Sequence, residues 1–354
     1  MQLRRRTLLG ECFAEVVGTF LLVFLGTASA MASVVRSTEV VAVSYSVVEV
    51  AVMWGVTLII GTVAASPVSG AHLNPAVTMA LAFSPSSDFL KRKAVPYVAA
   101  QLVGAAGAGL LVLTLFGGVI HRLEALHDVT RGTSNSTLSA MTVTNYFPNP
   151  VMVHAQVLEV DDMSFAGALI LEALGSALLV LVFRTVTDRH NSVRPASPLA
   201  AFYIGCSLTA VTAALGPLMQ VSLNPARDLG PRIVASLAGW STVALPGPRN
   251  EFVVYLFGPL VGALIAVPAY ECVLLPAYRV VAESPTEALL RGLHSSVSTI
   301  PNKSSLTGSL PLEPSKGLHH SDFRDSPTLN LGSYDFTSPT VLTQSYLRQQ
   351  LDLV

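Results

Sequence analysis

The chain has 354 residues, of which 51% are hydrophobic and only 12% are charged, and its formal net charge is -1. A soluble domain carries about 25% charged residues, so this composition is typical of a membrane protein. So few Lys and Arg residues cannot form the basic face that nucleic acid requires, and we predict no nucleic-acid partner.

The amino terminus carries Arg4, Arg5 and Arg6 ahead of a long apolar stretch. This pattern is shared by secretory signals and by first membrane spans, but the apolar core of a signal has only about 7 to 15 residues. The stretch continues through Val34 and contains Glu15. We therefore predict a membrane span here, preceded by a cytoplasmic amino terminus at residues 1–12.

Six stretches are long enough to cross a hydrocarbon core of about 30 Å, which takes roughly 20 apolar helical residues. Two further apolar runs, 75–83 and 225–238, each begin at an Asn-Pro-Ala sequence. At about 1.5 Å per residue they are too short to cross. The predicted spans are 13–34, 46–66, 95–117, 164–187, 198–216 and 252–275.

The two halves of the chain resemble each other in the same order. The segment 15–19 (EVVGT) corresponds to 172–176 (EALGS), and LVGA occurs at both 102–105 and 260–263. Each half holds three spans and one half-span, so the second half enters the membrane inverted. The predicted fold is an all-α membrane protein with six transmembrane helices and two re-entrant half-helices in an inverted repeat.

The predicted domain organisation follows from these spans. A membrane domain at 13–275 consists of repeat one at 13–117, a connecting loop at 118–163 and repeat two at 164–275. The tail at 276–354 is rich in Ser, Thr and Pro, and we predict that it is disordered. Its serines are either phosphorylation sites or part of a merely solvated tail.

Basic residues in the loops predict the orientation, because short cytoplasmic loops carry an excess of Lys and Arg. Lys91, Arg92 and Lys93, the loop after the fourth span and both termini fall on one side, which we predict to be cytoplasmic. The opposite, extracellular side receives the loop 118–163. That loop contains Asn135-Ser136-Thr137, a glycosylation acceptor pattern that also occurs often by chance.

The two Asn-Pro-Ala sequences suit the start of a helix inside the bilayer. Asn favours the position before a helix and Pro the first helical position. A turn inside the hydrocarbon region is tolerated where it lines a watery cavity. Two helices that meet by their amino ends would repel cations and leave the Asn NH2 groups as donors toward the lumen. The residues are Asn74, Pro75 and Ala76, and Asn224, Pro225 and Ala226.

Ionisable residues within membrane spans are candidates for function. Arg227 lies one turn into the second half-helix, where its charge could repel cations at a constriction. Glu15 and Glu172 occupy equivalent places in the two halves, and we predict that they accept bonds from the re-entrant loops rather than contact a permeating molecule. His72 is interpreted as a buried, hydrogen-bonded histidine rather than a gate.

The three cysteines lie in apolar runs without the spacing of a disulfide framework or a metal site. We interpret Cys12, Cys206 and Cys272 as packing residues. No metal ligand set and no cofactor are predicted, and the spans contain no pairing of acid, base and nucleophile that would indicate an enzyme.

The segments SGAHLNPAVT (69–78) and NPARDLGPR (224–232) resemble the two signature loops of the major intrinsic protein family. The resemblance extends over about 10–275 and implies an hourglass fold with one pore per subunit, usually in a homotetramer. It also assigns a ladder of backbone carbonyls that bond to a permeating hydroxyl group. These carbonyls belong to Gly70, Ala71, His72, Gln220, Val221 and Ser222.

Asp228 and Arg232 resemble the glycerol-conducting members of the family, and so does Trp54, twenty positions before Asn74. The resemblance places a selectivity filter at Trp54, Thr212, Val221 and Arg227. Glycerol channels typically carry Gly and an aromatic residue at the second and third of these positions, and the effect of the difference on pore width is left open.

These features predict a passive channel for water and small neutral solutes such as glycerol or urea, which excludes ions and protons. The alternatives are a strict water channel, or a junctional or scaffold membrane protein that conducts little. The expected location is the plasma membrane or an internal membrane, with both termini in the cytoplasm.

Overall fold

The computed structural model describes residues 7–38 and 46–282, which lie in one compact unit, Met1–Ser298. These residues form helices joined by turns and contain no strand. Three short 3-10 turns and two π turns, Ser236–Trp240 and Tyr270–Leu274, supplement the α-helices. The helices are α1 (Leu8–Thr38), α2 (Val47–Ser69), α3 (Pro75–Phe83), α4 (Ala94–Leu126), α5 (Thr137–Ala140), α6 (Pro150–His154), α7 (Phe165–Thr187), α8 (Ser197–Leu215), α9 (Pro225–Ala235), α10 (Ser241–Ala244), α11 (Glu251–Ala269) and α12 (Leu275–Ala282).

The six predicted spans are confirmed, because the described residues contain six helices long and apolar enough to cross a membrane. Several helices run past the predicted limits, since a helix continues beyond the hydrocarbon region wherever its backbone bonds are satisfied. α1 begins at Leu8, inside the predicted amino-terminal segment, and α4 continues to Leu126, inside the predicted loop. The tail boundary at 276 is wrong for its first residues, because α12 extends to Ala282. The rest of the tail, residues 283–354, lies outside the described residues.

Both predicted half-helices are present. α3 spans Pro75–Phe83, the predicted range, whereas α9 ends at Ala235, three residues before the predicted end, and passes into a π turn. Six crossings place the first and last described residues on the same side, which we call the terminal side. The other side carries the connection from 127 to 164 and is called the long-loop side.

Equivalent glycines allow the same close helix contact within each of the two halves. A Cβ at Gly104 of α4 would lie 2.4 Å from the carbonyl oxygen of Val16, and one at Gly262 of α11 would lie 2.0 Å from that of Ala173. Val16 and Ala173 each follow the glutamate of their repeat. The repeat seen in the sequence therefore corresponds to a repeated helix contact, which admits no side chain at either glycine.

Partly buried ionic contacts connect the helix ends on the terminal side. Lys93 donates to both carboxylate oxygens of Glu11 at 2.8 and 2.7 Å, and Tyr97 donates to Glu11 at 3.1 Å. In the other half, Arg184 lies 3.6 Å from Glu271. These contacts join the start of α4 to α1, and the end of α7 to the π turn Tyr270–Leu274 that follows α11.

The cysteine interpretation is wrong for two of the three residues. Cys206 and Cys272 are exposed and Cys12 is half-buried. An apolar run in a membrane helix has an outward face as well as a packed one, so hydrophobicity alone does not show which side a cysteine occupies.

Candidate functional site

Each half-helix begins with an asparagine cap. Asn74 accepts a bond from the backbone N–H of Ala76 at 2.8 Å, and Asn224 accepts bonds from Ala226 at 3.0 Å and Arg227 at 3.2 Å. Pro75 and Pro225 occupy the first helical positions, where the absent N–H costs no hydrogen bond. The predicted local structure of both Asn-Pro-Ala sequences is therefore present.

The two asparagines join the re-entrant loops to each other. The amide nitrogen of Asn74 donates to the carbonyl of Leu223 at 2.7 Å, and that of Asn224 donates to the carbonyl of Leu73 at 2.8 Å. The prediction that the NH2 groups are donors toward the lumen therefore holds for at most one N–H of each amide. One N–H of each amide binds the opposite loop, because a carbonyl at this depth needs a donor, and the second N–H remains for another acceptor.

Glu15 and Glu172 hold these loops in a costly backbone conformation. Glu15 accepts the N–H groups of His72 at 2.9 Å and Leu73 at 2.7 Å, and Glu172 accepts those of Ser222 at 2.6 Å and Leu223 at 2.9 Å. The φ angles of Leu73 and Leu223 are 50° and 55°, in the left-handed region. Such a conformation costs about 1 to 3 kcal/mol in a non-glycine residue, and the carboxylate bonds offset it. Both glutamates are fully buried at the predicted positions.

Three cavities follow one another through the helices. A mouth cavity on the long-loop side is lined by residues of the 141–149 segment, a central cavity is lined by both asparagines, and a vestibule opens on the terminal side. The mouth and central cavities have volumes of about 40 and 30 Å³, against about 880 Å³ for the vestibule. One water requires about 10 to 15 Å³ by this measure, so the central cavity admits a single file of small molecules.

The four predicted filter residues lie at one level of this passage. Trp54, Thr212, Val221 and Arg227 each line both the mouth cavity and the central cavity. The guanidinium carbon of Arg227 lies 4.1 Å from the centre of the Trp54 ring. The side chain of Arg227 makes no hydrogen bond to another of the described residues, so its donors are free to face the passage. The four residues that the resemblance assigned to the filter therefore lie together in space.

A second narrowing separates the central cavity from the vestibule. The residues common to both are Thr62, His72, Phe183 and Ile204. His72 is buried against Phe89 and Tyr97, and its Nδ1 lies 3.2 Å from the hydroxyl of Thr78. Thr62, Phe183 and Ile204 are not recognisable as lining residues in the sequence, because a lining side chain on a span has the same residue type as its packed neighbours.

The carbonyl-ladder residues are distributed along the passage. Ala71, His72, Val221 and Ser222 line the central cavity, Gln220 lines the mouth cavity, and Gly70 lines the vestibule. The Gln220 side chain accepts the N–H of Tyr146 at 3.1 Å and donates to the carbonyl of Met141 at 3.2 Å. Gln220 therefore also connects residues 141–149, which we call the mouth segment, to the second re-entrant loop.

Asp228 and Arg232 form a buried pair behind the filter. Arg232 donates to the Asp228 carboxylate at 2.7 and 3.0 Å and to the carbonyls of Ala244 and Asn145, both at 2.6 Å. Asp228 in turn accepts the N–H of Asn145 at 3.1 Å. The pair links α9, which carries Arg227, to the mouth segment and to α10.

The comparisons agree with this architecture. The model of the family described as Major intrinsic protein matches residues 2–270. The chain is 38% identical over 267 residues to the glycerol uptake facilitator protein of Escherichia coli K12, covering 75% of this chain and 88% of that protein. It is 32% identical to a propanediol uptake facilitator of Citrobacter freundii, covering 75% and 92%. It is also similar to the X-ray structure of the aquaglyceroporin from Plasmodium falciparum, with a TM-score of 0.63 and 25% identity over 77% of this chain and 100% of that one.

Proposed function

This chain belongs to the major intrinsic protein family, and from that premise we propose that it is a passive channel for water and small neutral solutes such as glycerol, excluding ions and protons. The relatives are named as uptake facilitators of glycerol and of propanediol, which are both small uncharged polyols. Their names describe membrane transport and no chemical reaction. The chain is therefore a membrane facilitator and not an enzyme.

The observation that carries the proposal is the meeting of two asparagine-capped half-helices at the central cavity. The amino end of each carries about half a positive charge, and both ends point into the passage. A cation or hydronium ion would lose its hydration water here and gain no negative partner. A neutral solute meets no such barrier, and its oxygen can accept from the asparagine N–H groups that remain free.

The filter supports passage of polyols as well as water. Trp54 presents a broad apolar face suited to the carbon side of a polyol, and the free donors of Arg227 suit its hydroxyl groups. Val221 in place of an aromatic side chain removes bulk from one wall, whereas Thr212 adds a methyl and a hydroxyl to another. A channel of this form would take small linear polyols and urea along with water.

The orientation, the membrane and the assembly are part of the proposal. We place the terminal side in the cytoplasm, since Lys91, Arg92 and Lys93 lie there, in a plasma or internal membrane. Asn135 is exposed on the long-loop side, as a glycosylated residue would be.

The family resemblance supports a homotetramer. Mass determination of the detergent-solubilised protein would test this, and a monomeric mass would contradict it.

Swelling of vesicles that contain the purified protein tests the function. We expect water and glycerol permeability well above that of empty lipid, at zero ion conductance. Water flux without glycerol flux would indicate a strict water channel. Permeability equal to empty lipid would favour a scaffold protein.

Replacing Trp54 by alanine should change polyol uptake more than water flow. The substitution removes the apolar face and the 4.1 Å contact that holds the Arg227 guanidinium. We expect glycerol flux to change several-fold and water flux by less than about twofold, measured by light scattering from the same proteoliposomes. Equal effects on the two fluxes would remove Trp54 from the selectivity filter.

Replacing Gly26 by alanine should displace the indole ring of Trp54. A Cβ at this position would lie 2.3 to 2.7 Å from three atoms of the Trp54 ring, so the ring must move. We expect a several-fold loss of glycerol flux in the stopped-flow assay. Gly117→Ala is the matched control, because a Cβ there meets nothing within 4 Å. If both alanine variants transport like the parent, Gly26 has no part in positioning Trp54.

A further inference from the structure

A side cavity of about 470 Å³ lies on the long-loop side, apart from the three cavities of the passage. Its lining is largely apolar, with Phe147 and Pro148 among the residues, but two imidazoles, His127 and His154, also face it. Residues 127 and 154 are far apart in the sequence, so no motif predicted this pairing. The cavity has no part in the proposed permeation route.

The two rings are close enough to share an ion. Their centres are 5.2 Å apart and the ring planes are perpendicular. Two imidazoles on one tetrahedral ion, with each nitrogen about 2.1 Å from the metal, place their ring centres roughly 5 Å apart. The observed spacing therefore needs little adjustment for a shared ion.

His127 also has an unpaired buried nitrogen. Its Nε2 is shielded from solvent and has no hydrogen-bond partner among the described residues. A buried polar atom without a partner costs about 1 to 3 kcal/mol. A bound cation would remove this cost, because neutral imidazole is the commonest metal ligand in proteins.

We propose that His127 and His154 form a binding site on the long-loop side for a divalent transition-metal ion of the Zn²⁺ class. No group of three or more His, Cys, Asp and Glu ligands occurs in the described part of the chain. The site therefore has two protein ligands, and water completes the coordination. The affinity is correspondingly weaker than that of a structural zinc site.

The position of the site gives it a mechanical role. His127 directly follows α4 and His154 ends α6, so the ion would join the two ends of the segment that contains the mouth residues 141–149. Phe147 and Tyr146 line the side cavity, while Asn145 and Asn149 line the mouth cavity. The ion would thus stabilise one wall of the entrance without contacting a permeating molecule.

Calorimetric titration of the full-length protein in detergent with Zn²⁺ at pH 7.5 tests the proposal. Because the tail also contains His319 and His320, the result is read as a difference between variants. We expect H154A and H127A each to lose one site, or to bind at it at least tenfold more weakly, while H319A/H320A retains it. His154 is exposed, so H154A should not disturb folding.

The matched control is H121A, since His121 is exposed near the same end of α4 and pairs with Glu124 at 3.3 Å. It should bind Zn²⁺ like the parent. Zn²⁺ binding that is unchanged in both H154A and H127A would overturn the proposal. Since binding is measured without transport, this outcome is independent of whether vesicles containing the protein take up glycerol.

Discussion

Replacing Arg227 by alanine is expected to let protons and small cations through a passage that excludes them in the parent protein. The guanidinium lies at the filter level, stacked on Trp54, with no carboxylate bonded to it among the described residues. At an effective dielectric constant of about 20, a unit charge about 4 Å away opposes a cation by about 4 kcal/mol. This energy corresponds to a factor of about 10³ in rate.

The amino ends of α3 and α9 retain part of the barrier in this variant. We therefore expect cation or proton leakage to rise by between about tenfold and 10³-fold, while water flux changes little. Dissipation of an imposed pH gradient across proteoliposomes measures the effect. Arg227→Lys is the matched control, because it keeps the charge and should keep the exclusion. A pH gradient that lasts as long in Arg227→Ala as in the parent would contradict the role of the charge.

The local signals in the sequence predicted much of this architecture. Asn74-Pro75 marks the start of α3, and the apolar run 75–83 coincides with the whole of that half-helix. The equivalence of Glu15 and Glu172 predicted their shared contact with the loops. The cap is predictable because its partner lies two positions away in the sequence. The partners of the glutamates lie 50 to 58 positions away, and their shared role was indicated by their equivalent places in the two halves.

Contacts between distant segments could not be predicted in this way. The sequence around Gly26 does not indicate that this residue contacts Trp54, because glycines occur in apolar spans for many structural reasons. Phe183 and Ile204 line the passage only because their faces of α7 and α8 turn inward. The bond from Arg232 to Asn145 joins residues 87 positions apart, and nothing in either neighbourhood indicates the other.

Replacing Arg232 by methionine should cause the largest loss of stability. Arg232 is 0% exposed and Asp228 is 1% exposed, so the substitution leaves a buried carboxylate without its charge partner. It also leaves the carbonyls of Ala244 and Asn145 without a donor. Breaking such a pair costs about 3 to 5 kcal/mol, and we expect the thermal midpoint in detergent to fall by about 10 °C.

A double substitution distinguishes the loss of charge balance from the loss of packing. Asp228→Asn combined with Arg232→Met removes both charges, so it should recover part of the midpoint lost in Arg232→Met alone. Arg92→Met, an exposed arginine on the terminal side, should leave the midpoint unchanged. If Arg232→Met is as stable as the parent, or if the double variant is less stable than the single one, the pair is not the anchor of α9. Since Asn224 caps α9 and Arg227 lies within it, a folded double variant that still conducts should also discriminate less well between glycerol and larger polyols.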